Sequence, residues 1–226
     1  MSANALSKNV LGFLSRLKKN NNREWFGEHK KEFKEVEAEA KAFYHDLMEK
    51  MKEHDDIEKL KMFRIYRDVR FSKDKTPYQP HFAGSFSRAG AHLRGGYYLR
   101  IRPGESFIAA GFWEPNKEDI YRIRKEFEVD AASFRKVINN KKFKSVWGDL
   151  VGDGVKTAPK GFSKEDPNID LIRKKQFIFV RNFKNSEVNA PGFIDEVNNS
   201  FKTIRPYFDL MSEILTTDLN GQSLLK

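Results

Sequence analysis

Residues 63–82 read FRIYRDVRFSKDKTPYQPHF and gather Arg64, Arg67, Arg70, Lys73 and Lys75 around Asp68, Asp74, Tyr66, Tyr78 and His81. Guanidinium forks bind phosphate or carboxylate through two parallel hydrogen bonds, and tyrosine rings offer stacking faces. An aspartate among them can orient an arginine or accept a hydroxyl proton. If the segment did acid–base chemistry, Asp74 or His81 would carry the proton and an arginine would stabilise developing charge. Within the segment Phe63, Ile65, Val69 and Phe71 alternate with Arg64, Tyr66, Asp68 and Arg70, the period of a strand. Arg67 interrupts the apolar row, so it is expected to meet a carboxylate, Asp68 or another buried acid, or to sit at a bulge. Ser72 to Pro80 read as a polar loop stiffened by Pro77 and Pro80.

The choice of cation also changes here. The chain carries a formal charge of +10 over 226 residues, and 27 of its 42 basic residues are lysines, scattered beside glutamates as in KKEFKEVEAEAK. That is the composition of solvated helix faces. Seven of the fifteen arginines, however, lie between positions 64 and 102 (Arg64, Arg67, Arg70, Arg88, Arg94, Arg100, Arg102), where only Lys73 and Lys75 represent lysine. Recognition of an anion or buried ion pairing explains such a switch better than solubility does.

The elements that must position these groups follow from periodicity. A short amphipathic helix is expected around residues 5–18. A long one follows, capped by Asn21 or Asn22 with Glu24 in capping-box register from Asn21, and its stripe of Phe26, Phe33, Val36, Ala40, Phe43, Leu47 and Met51 is expected to pack as core. Strands are expected at 62–71, 81–87, 96–102, 105–113 and 176–183, with Pro103-Gly104 a tight turn and Gly90 and Gly95-Gly96 framing a longer loop. QFIFVRNF, with the apolar run FIFV, reads as an interior strand. Helical periodicity returns from Pro115 to about residue 147 and from Pro191 to Leu215, where Pro206 should interrupt it. The expected fold is α+β: one domain over residues 1–226, a mainly antiparallel sheet of about five strands flanked by helices. In that arrangement Arg64, Tyr66, Asp68 and Arg70 would share a sheet face with Tyr98, Arg100 and Arg102, closed or left open by the 152–168 loop with its Pro159-Lys160-Gly161-Phe162.

Arg67-Asp68-Val69-Arg70-Phe71-Ser72-Lys73-Asp74-Lys75-Thr76-Pro77-Tyr78 resembles the signature of the bacterial family known as domain of unknown function 2461. Gly96-Tyr97-Tyr98-Leu99, Gly111-Phe112-Trp113-Glu114-Pro115, Pro159-Lys160-Gly161-Phe162 and Asp170-Leu171 are similar to that family's later blocks. The resemblance implies a bacterial α+β domain and carries over no catalytic residues.

The residues themselves exclude much. Without cysteine there is no disulfide, thiolate nucleophile or iron–sulfur cluster, which fits a reducing cytoplasmic setting. His29, His45 and His54 are not spaced as ligand pairs, and no metal or cofactor is expected. No export signal or membrane span is visible. The expected ligand is small and anionic, held by Arg64, Arg67, Asp68, Arg70, Lys73, Asp74, Lys75, Tyr78, Tyr98, Arg100 and Trp113. Trp113 stands at a strand end, where pockets form, although a tryptophan there is more often part of the core. A nucleic-acid surface on the same basic aromatic face is the alternative. A protein-interaction scaffold built on the 26–51 stripe is a third. Against all of them stands a purely structural network in which Arg64, Arg70, Arg100 and Arg102 pair with Asp68, Asp74, Glu105 and Glu114.

Overall fold

The computed structural model describes residues 5–225. The elements run α1 (Lys8–Lys19), α2 (Arg23–Glu28), α3 (Lys30–Met51), β1 (Ile57–Met62), β2 (Phe82–Arg88), β3 (Gly96–Ile101), β4 (Ser106–Phe112), α4 (Lys117–Val129), α5 (Ala132–Ile138), α6 (Lys141–Trp147), α7 (Ile169–Ile172), β5 (Phe177–Phe183), α8 (Asn185–Val188), α9 (Phe193–Thr203) and α10 (Arg205–Thr216). The five strands form one antiparallel sheet in sequence order, with short turns joining β2 to β3 and β3 to β4 and the helices α4–α7 lying between β4 and β5. Pro103 and Gly104 make the β3–β4 turn, with Gly104 at φ +76° and the Glu105 amide donating to the Arg102 carbonyl at 3.0 Å.

The chain folds as two compact units: one of residues up to Phe86 with Tyr98–Ile108 and Asn182–Asn199, the other of Ser87–Tyr97, Ala109–Arg181 and the chain from Ser200 onward. In the first, the expected stripe from Phe26 to Met51 is buried throughout, leaving none of it as a partner surface. Burying each such phenylalanine stabilises the fold by about 1.5–3 kcal/mol. Tyr44 is inaccessible, and its hydroxyl donates to the carbonyls of Phe82 at 3.2 Å and Leu99 at 3.0 Å, tying α3 to β2 and β3. The long helix is in fact two. Asn22 caps α2 by accepting from the Trp25 amide at 2.9 Å, and the helix breaks at His29 before α3. Asn21, the alternative cap, instead clamps the backbone of Tyr78, with its amide nitrogen donating to the carbonyl at 2.9 Å and its oxygen accepting from the amide at 3.1 Å.

In the second unit the core centres on Tyr207, whose hydroxyl donates to the Phe177 carbonyl at 2.7 Å and whose ring lies against Phe112, Phe134, Phe143 and Phe179. Pro206 does interrupt the last helix, standing in the first turn of α10, where its missing amide costs nothing. Arg88 and Arg94 account for part of the arginine cluster structurally. The Arg88 guanidinium is wholly buried over the Phe208 ring at 5.0 Å and donates to the Arg94 carbonyl at 2.7 Å, while Arg94 pairs with Asp119.

Two strand expectations are corrected. The first strand is Ile57–Met62, not 62–71. Phe63 still donates to the Ala83 carbonyl at 2.9 Å, but the chain then leaves the ladder and pairs with its own returning limb through Arg67 N–H to Pro77 O (2.9 Å), Gln79 N–H to Ile65 O (2.7 Å) and a Tyr66–Tyr78 bridge. Pro77 and Pro80 lack the amides that a longer ladder needs, so this limb cannot extend into sheet. The apolar alternation fails accordingly: Ile65 is buried, whereas Phe63 is 44% and Phe71 97% exposed. The other correction is that β5 is an edge strand. Its apolar run is covered on the faces and partly at the edge, where the Val151 amide donates to the Ile178 carbonyl at 2.9 Å.

Candidate functional site

The departure of 63–81 from the sheet leaves a recess of about 570 Å³ in the first unit. Arg64, Tyr66, Arg67, Asp68, His81 and Tyr98 line it, together with Phe63, Ser72, Gln79 and Ala83. Its rigidity comes from the loop's internal bonding. Arg67, whose side chain is only 18% exposed, donates to Asp74 at 2.5 Å, to the Thr76 carbonyl at 3.0 Å and to the Thr76 hydroxyl. Asp74 in turn accepts from the Thr76 amide at 2.9 Å. These bonds from Thr76, reinforced by Arg67, hold its carboxyl down at about 2. Asp74 is therefore a strut of the loop, with its oxygens occupied. Lys75 closes the other side by donating to the Val69 carbonyl at 3.0 Å. Tyr78 lies behind the lining, buried and stacked on Phe26 at 4.1 Å.

Asp68 pairs with Arg70 rather than Arg67, at 3.0 Å from Nε and 2.7 Å from Nη2, and this hydrogen bonding lowers the Asp68 carboxyl. Arg100 and Arg102 share Glu105 at 3.8 and 3.3 Å, and the Arg100 guanidinium stacks on Phe107 at 4.3 Å. The expected ion network therefore exists in part: Asp74 serves Arg67, Glu114 pairs with no cation among the described residues, and one arginine stands outside it. Among the described residues Arg64 makes no hydrogen bond and no ion pair, and it lines the recess. Lys73 is likewise exposed and unpaired, outside the lining.

The structure thus brings Arg64, Arg67, Asp68, His81 and Tyr98 together. It places Arg70, Lys73, Asp74 and Lys75 on the loop outside the lining, Tyr78 behind it and Arg100 against Phe107. Trp113 lies in the other unit and lines a different recess, 60% exposed rather than in the core. The 152–168 loop also belongs to that unit, and none of its residues lines the Arg64 recess. Phe63, Ser72, Gln79 and Ala83 were not legible as site residues: Phe63 alternates with the apolar row, and the others carry no charge or spacing that marks a site.

His81 is the most perturbed group here. Burial, then the positive charges of Arg100 and Arg102, lower it from the ordinary 6.5 to about 4, with Glu105 opposing, and its Nδ1 is buried with no hydrogen-bond partner. At neutral pH the ring is uncharged. Between 6.5 and about 4 the unfolded chain takes up a proton that the folded one refuses, so stability present above 6.5 falls as pH drops through that window. After discounting for partial exposure, the loss expected is on the order of 2 kcal/mol. Urea unfolding at neutral pH and near the lower pKa should show it, and His81→Gln should flatten the difference; an unchanged pH dependence in that variant would assign it to other groups.

Among the described residues no group of three or more His, Asp or Glu side chains is placed to hold a metal ion, and no helix is long and apolar enough to cross a membrane. Residues 9–210 match the model of one protein family, described as conserved hypothetical protein (DUF2461). No curated protein and no solved structure matches the chain.

Proposed function

Since the chain belongs to DUF2461, a family of conserved hypothetical proteins from which no residue roles carry over, we propose from the site itself that the recess binds a small phosphate- or carboxylate-bearing ligand. One observation carries this reading. Every other guanidinium of the 64–102 loop-and-sheet cluster in the first unit reaches an acid, Arg100 and Arg102 sharing Glu105, while Arg64 lines the recess with no ion pair or hydrogen bond of its own and acts on Asp68 only through space. A recess of this size falls in the usual range for small-molecule sites. Arg64 supplies the fork for the anion, Tyr66 and Tyr98 supply ring walls, and neutral His81 offers a ring nitrogen to a ligand hydroxyl. Arg67 and Asp68 hold the frame.

The test is a thermal-shift titration with inorganic phosphate, citrate and AMP, in the wild type and in Arg64→Ala. A ligand at a hundred times its Kd stabilises the folded chain by about 2.7 kcal/mol, a readily measured shift. Arg64→Ala should weaken that binding about ten- to a hundredfold, as expected for a lost charge-assisted contact, while the exposed side chain leaves the ligand-free midpoint in place. Equal shifts in both proteins would remove Arg64 from the site.

A nucleic-acid surface is a second reading, favoured by three exposed aromatics among cations: Phe63, Tyr66 and Phe71 at 44, 49 and 97% exposure beside Lys61, Arg64, Arg70 and Lys73. Single-strand binding there would depend on salt with a log–log slope of several units, against about one for a single anion.

A further inference from the structure

The recess around Trp113 in the second unit is independent of the one above. It has a volume of about 400 Å³, and its walls are Trp113, Ile120, Val155, Pro159, Arg124 and Lys175. One wall is fixed by backbone pairing: the Lys175 amide donates to the Asp153 carbonyl at 2.8 Å, and the Asp153 amide donates to the Gln176 side chain at 2.9 Å. Arg124 projects from α4 and is half-buried; the only hydrogen bond of its side chain among the described residues runs from Nη2 to the Lys174 carbonyl at 3.2 Å. Its Nε is buried without a partner, and burial lowers the pKa of the guanidinium. Lys175 has no ion pair either, although Glu114 and Asp153 line the same recess.

We propose that this recess is a second ligand site, for a small molecule carrying one anionic group, a flat ring and hydrogen-bond donors. The ring lies on the Trp113 indole, which a strand end leaves 60% exposed. The phosphate or carboxylate meets Arg124 and Lys175, neither of which has an ion pair among the described residues. Glu114 and Asp153 accept from amine or hydroxyl groups of the ligand and repel polyanions, which excludes a nucleic-acid strand. A nucleoside monophosphate and an aromatic amino acid both satisfy this pattern, differing in the anion they present.

Calorimetric titration of the full chain with AMP and with phenylalanine tests it, with tryptophan emission as a second readout. Saturable binding of one of them is expected. Arg124→Gln should weaken it about ten- to a hundredfold, and Trp113→Ala should weaken it while removing the emission change. The titrations are repeated in Arg64→Ala, where the first recess has lost its anion contact: saturable binding that persists there belongs to this site, and its outcome stays separate from that of the first. Should Arg124→Gln fail to fold, Lys175→Gln decides in its place. Absence of binding by both ligands, or unaltered affinity in the arginine and lysine variants, overturns the proposal.

Discussion

Gly111→Ala is expected to keep the chain from reaching a stable fold. Gly111 sits in β4 at φ +135°, a conformation open to glycine and strained for any residue with a Cβ. An added Cβ would lie 2.2 Å from the Phe177 carbonyl oxygen and 2.8 Å from the Ile178 Cα, both backbone atoms of the neighbouring strand β5. No side-chain rotation relieves that contact; the strands must separate, and the second unit's core beneath them, with Phe177 fully buried, must open. Strain and lost pairing together should cost about 4 kcal/mol or more, a large part of the 5–15 kcal/mol by which a domain is usually stable. Gly104→Ala is the control. Gly104 also has positive φ, at +76°, but nothing lies within 4 Å of its Cβ position, so that change should cost only about 1 kcal/mol of turn strain. Urea unfolding of the two variants distinguishes the cases, and equal midpoints would mean that the β4–β5 approach is not the constraint described here.

Parts of the fold are legible in the sequence because their pairing is local. Strands β2, β3 and β4 are joined by local turns at Gly90–Gly95 and Pro103-Gly104, and their side chains obey simple alternation: Tyr97, Leu99 and Ile101 are buried while Tyr98 and Arg100 face the other way. The first strand was misplaced because Phe63, Ile65, Val69 and Phe71 imitate that alternation more closely than IEKLKM, which buries only Ile57. What decides the matter is a contact across the loop, between residues 65–67 and 77–79, that no local window contains. The edge position of β5 depends likewise on pairing order. At the site, residue types announced cations and acids, but partner choice was hidden. Arg67 takes Asp74 and leaves Asp68 to Arg70 because the loop folds back at Thr76, and Arg64, whose charge reaches Asp68 only through space, is left without an ion pair.

That same loop closure makes Arg67→Ala the second large effect, and one that should reach both stability and binding. The guanidinium is mostly buried and donates to a carboxylate, a carbonyl and a hydroxyl. Removing it leaves the Thr76 carbonyl without this donor and opens a gap beneath Arg64 and Asp68, at an expected cost of about 2–3 kcal/mol. Arg70→Ala provides the contrast, since its side chain is 77% exposed and its pair with Asp68 lies in solvent; the unfolding midpoint should stay where it is. Limited proteolysis of residues 67–76 should speed up in the first variant and not in the second. Phosphate or AMP binding by the recess should disappear with Arg67→Ala even below the unfolding transition, because Arg64 then has no fixed wall to project from. If Arg67→Ala matches Arg70→Ala in stability and protease resistance, the loop is held by its backbone bonds and Tyr78 alone, and the rigid frame assigned to Arg67 does not exist.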